Sequence, residues 1–507
     1  MLAVAVVLLL RAALAHTGGT LVYALDDAYI HMAVARSLAE HGVWGVTRYG
    51  FTACTSSLAW PLLLAAADVV FGVRDGAPLV LNLLAATAAL LLADRLLSDI
   101  AVAARVAALV AVVLLTPLPT LVMAGMEHTL HVAAVFWLLD RFRGAEEGPP
   151  ARAAAVTLGV AAALATATRY ESVFLLAPAV LLLAIDGRRS AAMAAAIGGL
   201  LPPASFAAVA VGHGWPPLPT SLLLKRATFE GSGLAGLVDR LGGHALRTLT
   251  EAPHLLVLLS AVLVMSAALP ASRVVRRWDA IFVAGTLLHL QLAAVGWLFR
   301  YEAYLVAVGV VLVARHLADA AAVLRGSAAR LTLVLAALVA AAPLLVRGAQ
   351  ALAQTPAAVK NIYEQQYQMG LFLRGLPPGS AVMANDIGAI CYLADVRMVD
   401  LFGLATRETA EARRAGRVDQ ALLSRLAADA RPAAIVIYRS WFADAVPREW
   451  VEVGTWKVPD KVVVADRTVS FYATDAAAAS RLGQALAAFQ PRLPTSVSAR
   501  LADAAAP

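Results

Sequence analysis

The sequence predicts an α-helical polytopic membrane protein with a small α/β domain at its C-terminal end. Of the 507 residues, 61% are hydrophobic and 15% are charged, whereas soluble globular proteins carry about 25% charged residues. Apolar runs of membrane-spanning length recur up to about residue 347, and charged residues and short β-prone runs become frequent after about residue 350. The composition excludes a soluble enzyme of this length and a disordered chain. The scattered net charge of +7 does not indicate a nucleic-acid partner.

Twelve apolar runs are candidate membrane-spanning helices, and we expect about 11–13 crossings of the lipid bilayer. The first run lacks the basic start of a signal peptide and is interrupted by Arg11, so we interpret it as an uncleaved helix. The weakest candidate is 58–72, which is short and contains Asp68. The runs lie near residues 2–22, 58–72, 78–97, 102–122, 126–140, 153–168, 171–185, 191–211, 254–272, 279–298, 301–317 and 330–347.

The arginines of the short loops predict the orientation of the chain in the membrane, because cytoplasmic loops are enriched in Lys and Arg. They place five segments outside the cytoplasm: the first outer loop at 23–57, short turns at 169–171 and 299–301, an outer loop at 212–253, and the tail from 350. We therefore expect a transmembrane catalytic domain at 1–349 and a soluble extracytoplasmic α/β domain at 350–507. Abundant Ala, Arg and Leu are typical of a GC-rich bacterial genome, so we expect a bacterial inner or plasma membrane, with the tail facing the periplasm or cell exterior. The arginines that mark cytoplasmic loops are Arg141, Arg143, Arg152, Arg188, Arg189, Arg273, Arg276, Arg277, Arg315, Arg325 and Arg330.

The tail shows the pattern of a small mixed domain. A helix is predicted over 408–429, and the last residues, 490–507, are expected to fray. The β-prone runs that predict strands are Ala381–Asn385, Met398–Leu401, Ala433–Tyr438 and Lys461–Val464.

The adjacent carboxylates Asp26 and Asp27 follow the first apolar run directly. Like charges at a membrane boundary raise each other's pKa, which suits a general base. The same pair suits a divalent cation (Mg, Mn or Ca) equally well. The structural alternative is that both lie in the first turn of an amphipathic helix on the membrane surface, where the helix dipole favours anions. His31, one turn on from Asp27, could be a partner in binding a metal, but we expect it to be a polar residue on the exposed side of that helix.

Four further polar segments lie at predicted outer membrane edges. Each alone could be an interfacial anchor, with Arg or Lys reaching for water and Tyr in the aromatic belt. Together they would place cations and carboxylates on the face that carries Asp26 and Asp27, which is a layout for transferring a group from a lipid phosphate. The segments are Gly125-Met126-Glu127-His128, Thr168-Arg169-Tyr170-Glu171, Leu218-Pro219-Thr220 with Lys225, and Phe299-Arg300-Tyr301-Glu302.

The order of these motifs resembles GT-C-type glycosyltransferases, in particular the branch that contains the terminal arabinofuranosyltransferase of mycobacterial walls. The resemblance begins with Asp26-Asp27-Ala28-Tyr29-Ile30 and Ala35-Arg36-Ser37-Leu38, continues through the four segments above, and reaches the tail. There it involves Asn385-Asp386-Ile387-Gly388-Ala389 and Val399-Asp400-Leu401-Phe402-Gly403-Leu404. No single motif is specific for these glycosyltransferases. The order of the motifs over roughly residues 25–405 is what makes the resemblance specific.

The resemblance implies an inverting transferase that moves a sugar, arabinofuranose or mannose among the alternatives, from a polyprenyl-phosphate donor to a cell-envelope glycan or glycolipid. Asp26 is the first candidate for the general base, and Asp27 would hold the acceptor or a cation. Asp386 and Asp400 are candidates in the soluble domain, although Asp in a turn is commonly structural. The residues implied to bind the donor phosphate are Lys225, Arg300 and Arg169, and those implied to line the substrate pocket are Glu127, His128, Glu171, Tyr301 and Tyr29.

Two other functions remain open at the level of sequence. A transporter or lipid flippase for envelope precursors would also have many spans and intramembrane polar residues. Against it, the sequence has no repeated halves, and the polar residues gather at one membrane edge. A scaffold that has lost catalysis is the second alternative, and the intact Asp26 and Asp27 argue against it.

Overall fold

The structure is a computed structural model, and it describes residues 1–149, 151–225, 249–269, 271–323 and 326–502. Most of the predicted outer loop 212–253 lies outside the described residues, as does the side chain of Lys225.

The described part of the chain up to about residue 362 consists mainly of helices. Every predicted span overlaps a helix, with 102–122 divided between two helices at Pro117, so the helical prediction is confirmed. The helices are α1 (Leu2–His16), α2 (Asp26–His41), α3 (Ala59–Phe71), α4 (Ala77–Leu96), α5 (Val102–Leu115), α6 (Leu118–Ala124), α7 (His128–Glu147), α8 (Arg152–Thr168), α9 (Val173–Ile185), α10 (Arg189–Gly212), α11 (Thr220–Lys225), α12 (Pro253–Ala268), α13 (Arg273–Leu292), α14 (Ala303–Val323) and α15 (Ser327–Ile362).

Only some of the described helices are long and apolar enough to cross a membrane on their own. These are α4, α10 and the part of α14 from Ala303 to Ala321, and the pair α5 and α6, bent by 41°, makes a fourth candidate. Five further apolar helices of the described part are shorter, with 10–17 residues. The number of 11–13 crossings and their orientation therefore stay predictions.

The C-terminal part contains a six-stranded mixed sheet. Helix α15 runs without a break through the predicted boundary at 349 and 350 and continues as a π-helical turn, Tyr363–Tyr367. The strand order is β2-β1-β3-β5-β4-β6; β1 pairs in parallel with β2 and β3, and the remaining pairs are antiparallel. The elements are α16 (Gln368–Leu373), β1 (Ser380–Ala384), α17 (Gly388–Leu393), β2 (Val396–Asp400), α18 (Arg407–Arg414), α19 (Gln420–Ala430), β3 (Ala434–Ile437), α20 (Arg439–Phe442), β4 (Val451–Lys457), β5 (Thr468–Ala473), α21 (Ala476–Phe489) and β6 (Ser498–Leu501).

Three predictions for the tail differ from the structure. The predicted helix over 408–429 is broken into α18 and α19, because the chain turns at Gly416, whose φ is +64°. The predicted frayed end, 490–507, instead contains β6, which pairs with β4, and its last residues, 503–507, lie outside the described residues. The run Lys461–Val464 is not a strand, because the backbone N–H groups of its last three residues are bound by a side chain instead of a neighbouring strand.

That side chain belongs to Asn361 of α15 and connects the long helix to the sheet domain. Its Oδ1 accepts hydrogen bonds from the N–H groups of Val462, Val463 and Val464 at 3.0, 3.0 and 3.1 Å. Its Nδ2 donates to the carbonyl of Asp460 at 2.9 Å. The side chain is almost fully buried, so these donors have little access to water if it is removed.

We expect Asn361→Ala to lower the free energy of unfolding by about 1–3 kcal/mol, because it leaves buried N–H groups without an acceptor. Unfolding in detergent by denaturant measures the change. Asn361→Asp is the matched control, because it keeps the accepting oxygen and should lose less. Equal stability of Asn361→Ala and the wild type would contradict this role.

Candidate active site

Helix α2 begins at Asp26, so Asp26 and Asp27 lie in its first turn, next to the positive end of the helix dipole. From Ala28 to Ala35 every residue is buried, because α2 packs between α3 on one side and α17 of the C-terminal domain on the other. Along these residues the helix has no exposed face, which corrects the expectation of an amphipathic helix with one polar side in water. His31 is accordingly buried, which corrects the expectation that it is exposed; its Nε2 lies 3.5 Å from Glu127 Oε2.

The carboxylate of Asp26 binds the N-terminal end of α17. Its Oδ2 accepts a hydrogen bond from the N–H of Gly388 at 2.9 Å, and its Oδ1 accepts one from the N–H of Ala389 at 2.8 Å. Only glycine fits at 388, because a Cβ there would lie 2.1 Å from the Asp26 carbonyl oxygen. Burial, followed by the negative charge of Asp386, raises the pKa of Asp26 to about 8, although the two N–H groups oppose this shift.

Asp27 forms an ion pair with Arg300, which lies 273 positions later in the chain. The distance from Asp27 Oδ2 to Arg300 Nη2 is 2.5 Å. The guanidinium is buried, whereas 31% of the Asp27 side chain is exposed. The ring of Tyr301 lies between two cations, with its centroid 5.0 Å from the Arg300 guanidinium and 5.8 Å from that of Arg169. The fold therefore brings Asp27, Arg169, Arg300 and Tyr301 together.

Arg169 is held by two carboxylates. Its Nη1 donates to Glu127 Oε1 at 2.7 Å, and its Nη2 donates to Glu171 Oε1 at 2.5 Å. Glu127 also accepts from the hydroxyl of Ser56 at 3.2 Å. All four side chains have little contact with solvent. The arrangement leaves Arg169 with its charge compensated, unlike a cation that awaits an anionic ligand.

A cavity of about 280 Å³ lies where the helical part meets the C-terminal domain. Asp26, Asp27 and Asp386 line it together, so two carboxylates come from the helical part and one from the sheet domain. The walls are largely apolar and aromatic, and they include Tyr301. Asn385 and Phe402 lie in the tail motifs quoted above but were not named as site residues. Sequence reasoning did not identify three further lining residues, which come from three separate segments and share no local pattern: Trp297, Gln366 and Trp441.

Asp386 and Asp400 have different surroundings. Asp386 Oδ2 accepts hydrogen bonds from the hydroxyl of Tyr438 at 2.5 Å and from Gln366 Nε2 at 2.9 Å, and burial raises its pKa. Asp400 is fully buried outside the cavity. Its carboxylate accepts hydrogen bonds from the N–H groups of Phe402 at 2.8 Å and Ala405 at 2.7 Å, so it shapes the turn that follows β2.

The remaining predicted residues lie away from the cavity lining. Tyr29 is buried, its hydroxyl accepts a hydrogen bond from the N–H of Tyr23 at 3.2 Å, and its ring packs against Tyr367 and Tyr392. His128 is buried with its Nδ1 3.8 Å from Glu127 Oε1.

The structure shows other partners for the carboxylates that the sequence offers to a divalent cation. Both oxygens of Asp26 already accept backbone N–H groups, and Asp27 is neutralised by Arg300. Within the described ranges, no group of three or more His, Cys, Asp or Glu side chains is arranged to hold a metal ion.

Comparisons with known proteins support the fold. The chain is similar in structure to ArnT from Cupriavidus metallidurans in the apo state, with 13% identity, a TM-score of 0.53, and coverage of 94% of this chain and 98% of ArnT. The structure of the same protein bound to undecaprenyl phosphate gives 13% identity, a TM-score of 0.52, and coverage of 93% and 97%. These likenesses support the GT-C fold class and do not identify the arabinofuranosyltransferase branch.

Comparisons of sequence add less. Residues 360–472 match a family described as a domain of unknown function, DUF8728. This range contains Asp386 and the N-terminal end of α17. No curated protein matches the chain in sequence.

We expect Gly388→Ala to separate α17 from Asp26, because the new methyl group would overlap the Asp26 backbone. The expected loss is about 1–3 kcal/mol in the free energy of unfolding, together with faster hydrogen exchange in α17. Gly144→Ala in α7 is the control, since a Cβ there meets no atom within 4 Å. Unchanged exchange in α17 would contradict the role assigned to this contact.

Proposed function

We propose that the chain is an inverting membrane glycosyltransferase of the GT-C type. It transfers a sugar from a polyprenyl-phosphate donor to a cell-envelope glycan or glycolipid on the outer face of the membrane. The observation that carries the proposal is the cavity in which Asp26, with a pKa of about 8, lies beside the Asp27–Arg300 pair. The fold likeness to a protein that binds undecaprenyl phosphate adds support for the donor class.

In the proposed reaction, Asp26 removes the proton from an acceptor hydroxyl. The acceptor oxygen forms a bond to the anomeric carbon from one face, while the bond from that carbon to the phosphate oxygen breaks on the other face. The configuration is therefore inverted, the proton remains on Asp26, and the polyprenyl phosphate leaves with the bonding electron pair. A base with a pKa near the working pH suits this step, because it is both available and strong enough.

The leaving phosphate gains negative charge, so nearby cations stabilise the transition state. Arg300 and Lys225 are our candidates for this role. Arg169 is already bound by Glu127 and Glu171. We therefore propose that Arg169, Glu127 and Glu171 support Tyr301 and do not bind the phosphate.

The C-terminal domain completes the proposed site. It contributes Asp386 to the cavity, and its helix α17 binds the proposed base. This role requires the domain to face the periplasm or cell exterior, as the distribution of loop arginines predicts. Arabinofuranose and mannose are the first donor sugars to test.

We expect Asp26→Asn to lower the transfer rate about 100-fold or more, because it removes the proton acceptor. Purified protein in nanodiscs, incubated with a panel of radiolabelled polyprenyl-phosphate sugars and envelope acceptors, measures this rate. Asp27→Asn should lower the transfer rate by a smaller factor, because it keeps the proposed base and removes only the charge that pairs with Arg300. Full activity in both variants would contradict the proposal.

Two controls separate loss of the base from loss of docking. Asp429→Asn removes an exposed carboxylate of α19 and should leave transfer unchanged. Gly388→Ala disturbs the contact with α17 but keeps the Asp26 carboxylate. If Asp26→Asn lowers the transfer rate no more than Gly388→Ala does, and the two variants are similarly stable, Asp26 acts only in holding the C-terminal domain in place.

The pH dependence of transfer provides an independent test. Asp26 must be deprotonated to act, so kcat/KM should rise with pH through about 8 and then level off. Asp386→Asn removes the neighbouring negative charge that raises this pKa, so the midpoint of the rise should move to lower pH. A pH profile of both proteins measures the shift, and an unchanged midpoint would contradict the assignment of Asp26 as the base.

A further inference from the structure

The loop between α13 and α14 has an unusual backbone. Gly296, Trp297, Leu298 and Phe299 follow one another with φ angles of +80°, +45°, +56° and +62°. In this left-handed region the Cβ of an L-amino acid crowds the next carbonyl oxygen, so three consecutive bulky residues are unfavourable there. Such a conformation persists only where surrounding contacts enforce it.

The contacts that enforce it come from Glu302 and Arg347. Glu302 Oε2 accepts a hydrogen bond from the N–H of Gly296 at 2.8 Å, which fixes the start of the loop. Arg347 of α15 donates to the carbonyl of Phe299 at 2.6 Å, which fixes its end. The two side chains also pair with each other, at 2.7 Å between Nη2 and Oε1. The pair therefore holds both ends of the left-handed segment.

This pair is costly to bury. Glu302 is fully buried, and Arg347 and the neighbouring His254 are nearly so, with His254 Nε2 3.2 Å from Glu302 Oε1. Taking an ion pair out of water often costs more than its attraction returns, so such a pair is weak evidence for stability alone. Its location under a strained segment suggests a role in arranging that segment.

The segment carries residues of the proposed active site. Trp297 lines the cavity with 51% of its surface exposed, and Tyr301 lines the same cavity. Arg300 lies between them and pairs with Asp27. A change at either end of the loop would therefore move the aromatic side chains Trp297 and Tyr301 together with the guanidinium of Arg300.

We propose that Glu302 and Arg347 are positioning residues that hold Trp297, Arg300 and Tyr301 in place for the transfer reaction. Neither residue lines the cavity, so both act through the loop. This inference rests on the proposed function for its consequence in catalysis. The clamp on the loop itself can be tested without any transfer assay.

The first arm of the experiment measures hydrogen exchange over residues 293–302 in the full chain in nanodiscs. Arg347→Met and Glu302→Gln should each speed exchange there about tenfold or more, because the loop is released. Arg347→Lys keeps the positive charge and hydrogen-bond donors on a single nitrogen, so exchange should be slower than in Arg347→Met. Unchanged exchange in both Arg347→Met and Glu302→Gln would overturn the proposal.

The matched control is Arg315, another buried arginine that binds a carbonyl and a carboxylate. It donates to Leu96 O at 2.6 Å and pairs with Asp99, far along α14 from the loop. Arg315→Met should destabilise the protein while leaving exchange at 293–302 and the KM for the donor unchanged. If it speeds exchange at 293–302 as much as Arg347→Met does, general destabilisation explains the effect and the proposal fails.

The second arm is a double-mutant cycle between Arg347→Met and Trp297→Ala. If Arg347 acts through Trp297, each single variant raises the KM for the donor about tenfold, and the double variant is no worse than the more impaired single variant. An additive effect, about 100-fold in the double variant, would overturn the positioning role. If the wild type transfers no sugar, the proposed function fails, and the same cycle is measured on the Kd for undecaprenyl phosphate.

Discussion

The architecture of this protein depends on the two hydrogen bonds that join Asp26 to the start of α17. A carboxylate at the start of α2 satisfies backbone donors of the sheet domain, which a short helix otherwise leaves without partners. Gly388 permits this contact because any side chain would collide with Asp26. The cavity lies where the two parts meet beside this contact, so docking of the domain and formation of the site are coupled.

The same contact sets the chemistry of Asp26. Hydrogen bonds from two N–H groups favour the carboxylate, whereas burial and the charge of Asp386 favour the acid, and burial is the larger effect. The result is a group whose pKa lies near neutrality instead of near 4, as expected for a general base. The environment of Asp27 differs, because the guanidinium of Arg300 compensates its negative charge directly. Adjacent carboxylates thereby have distinct environments and, in our proposal, distinct roles.

The sequence predicted the parts that depend on local pattern. Apolar runs located the helices, and the amphipathic pattern that follows Asp26 and Asp27 indicated that both lie in the first turn of a helix. The sequence could not predict the burial of α2. His31 and its polar neighbours are typical of an exposed helix face, and the residues that cover them come from distant segments. The motifs predicted that Arg300 lies on the same face as Asp27, but not the ion pair between them. Trp297 and Trp441 have no local signal. The strand expected at Lys461–Val464 was wrong because a single side chain, Asn361, binds its N–H groups.

The location of the reacting sugar tests this account most directly. We would determine the structure of the full chain in nanodiscs with a polyprenyl-phosphate sugar by cryo-electron microscopy. The account predicts the anomeric carbon in the cavity between the two parts, on the side of Asp26, with the phosphate near Arg300. A sugar bound elsewhere, with this cavity filled only by solvent or lipid, would contradict it.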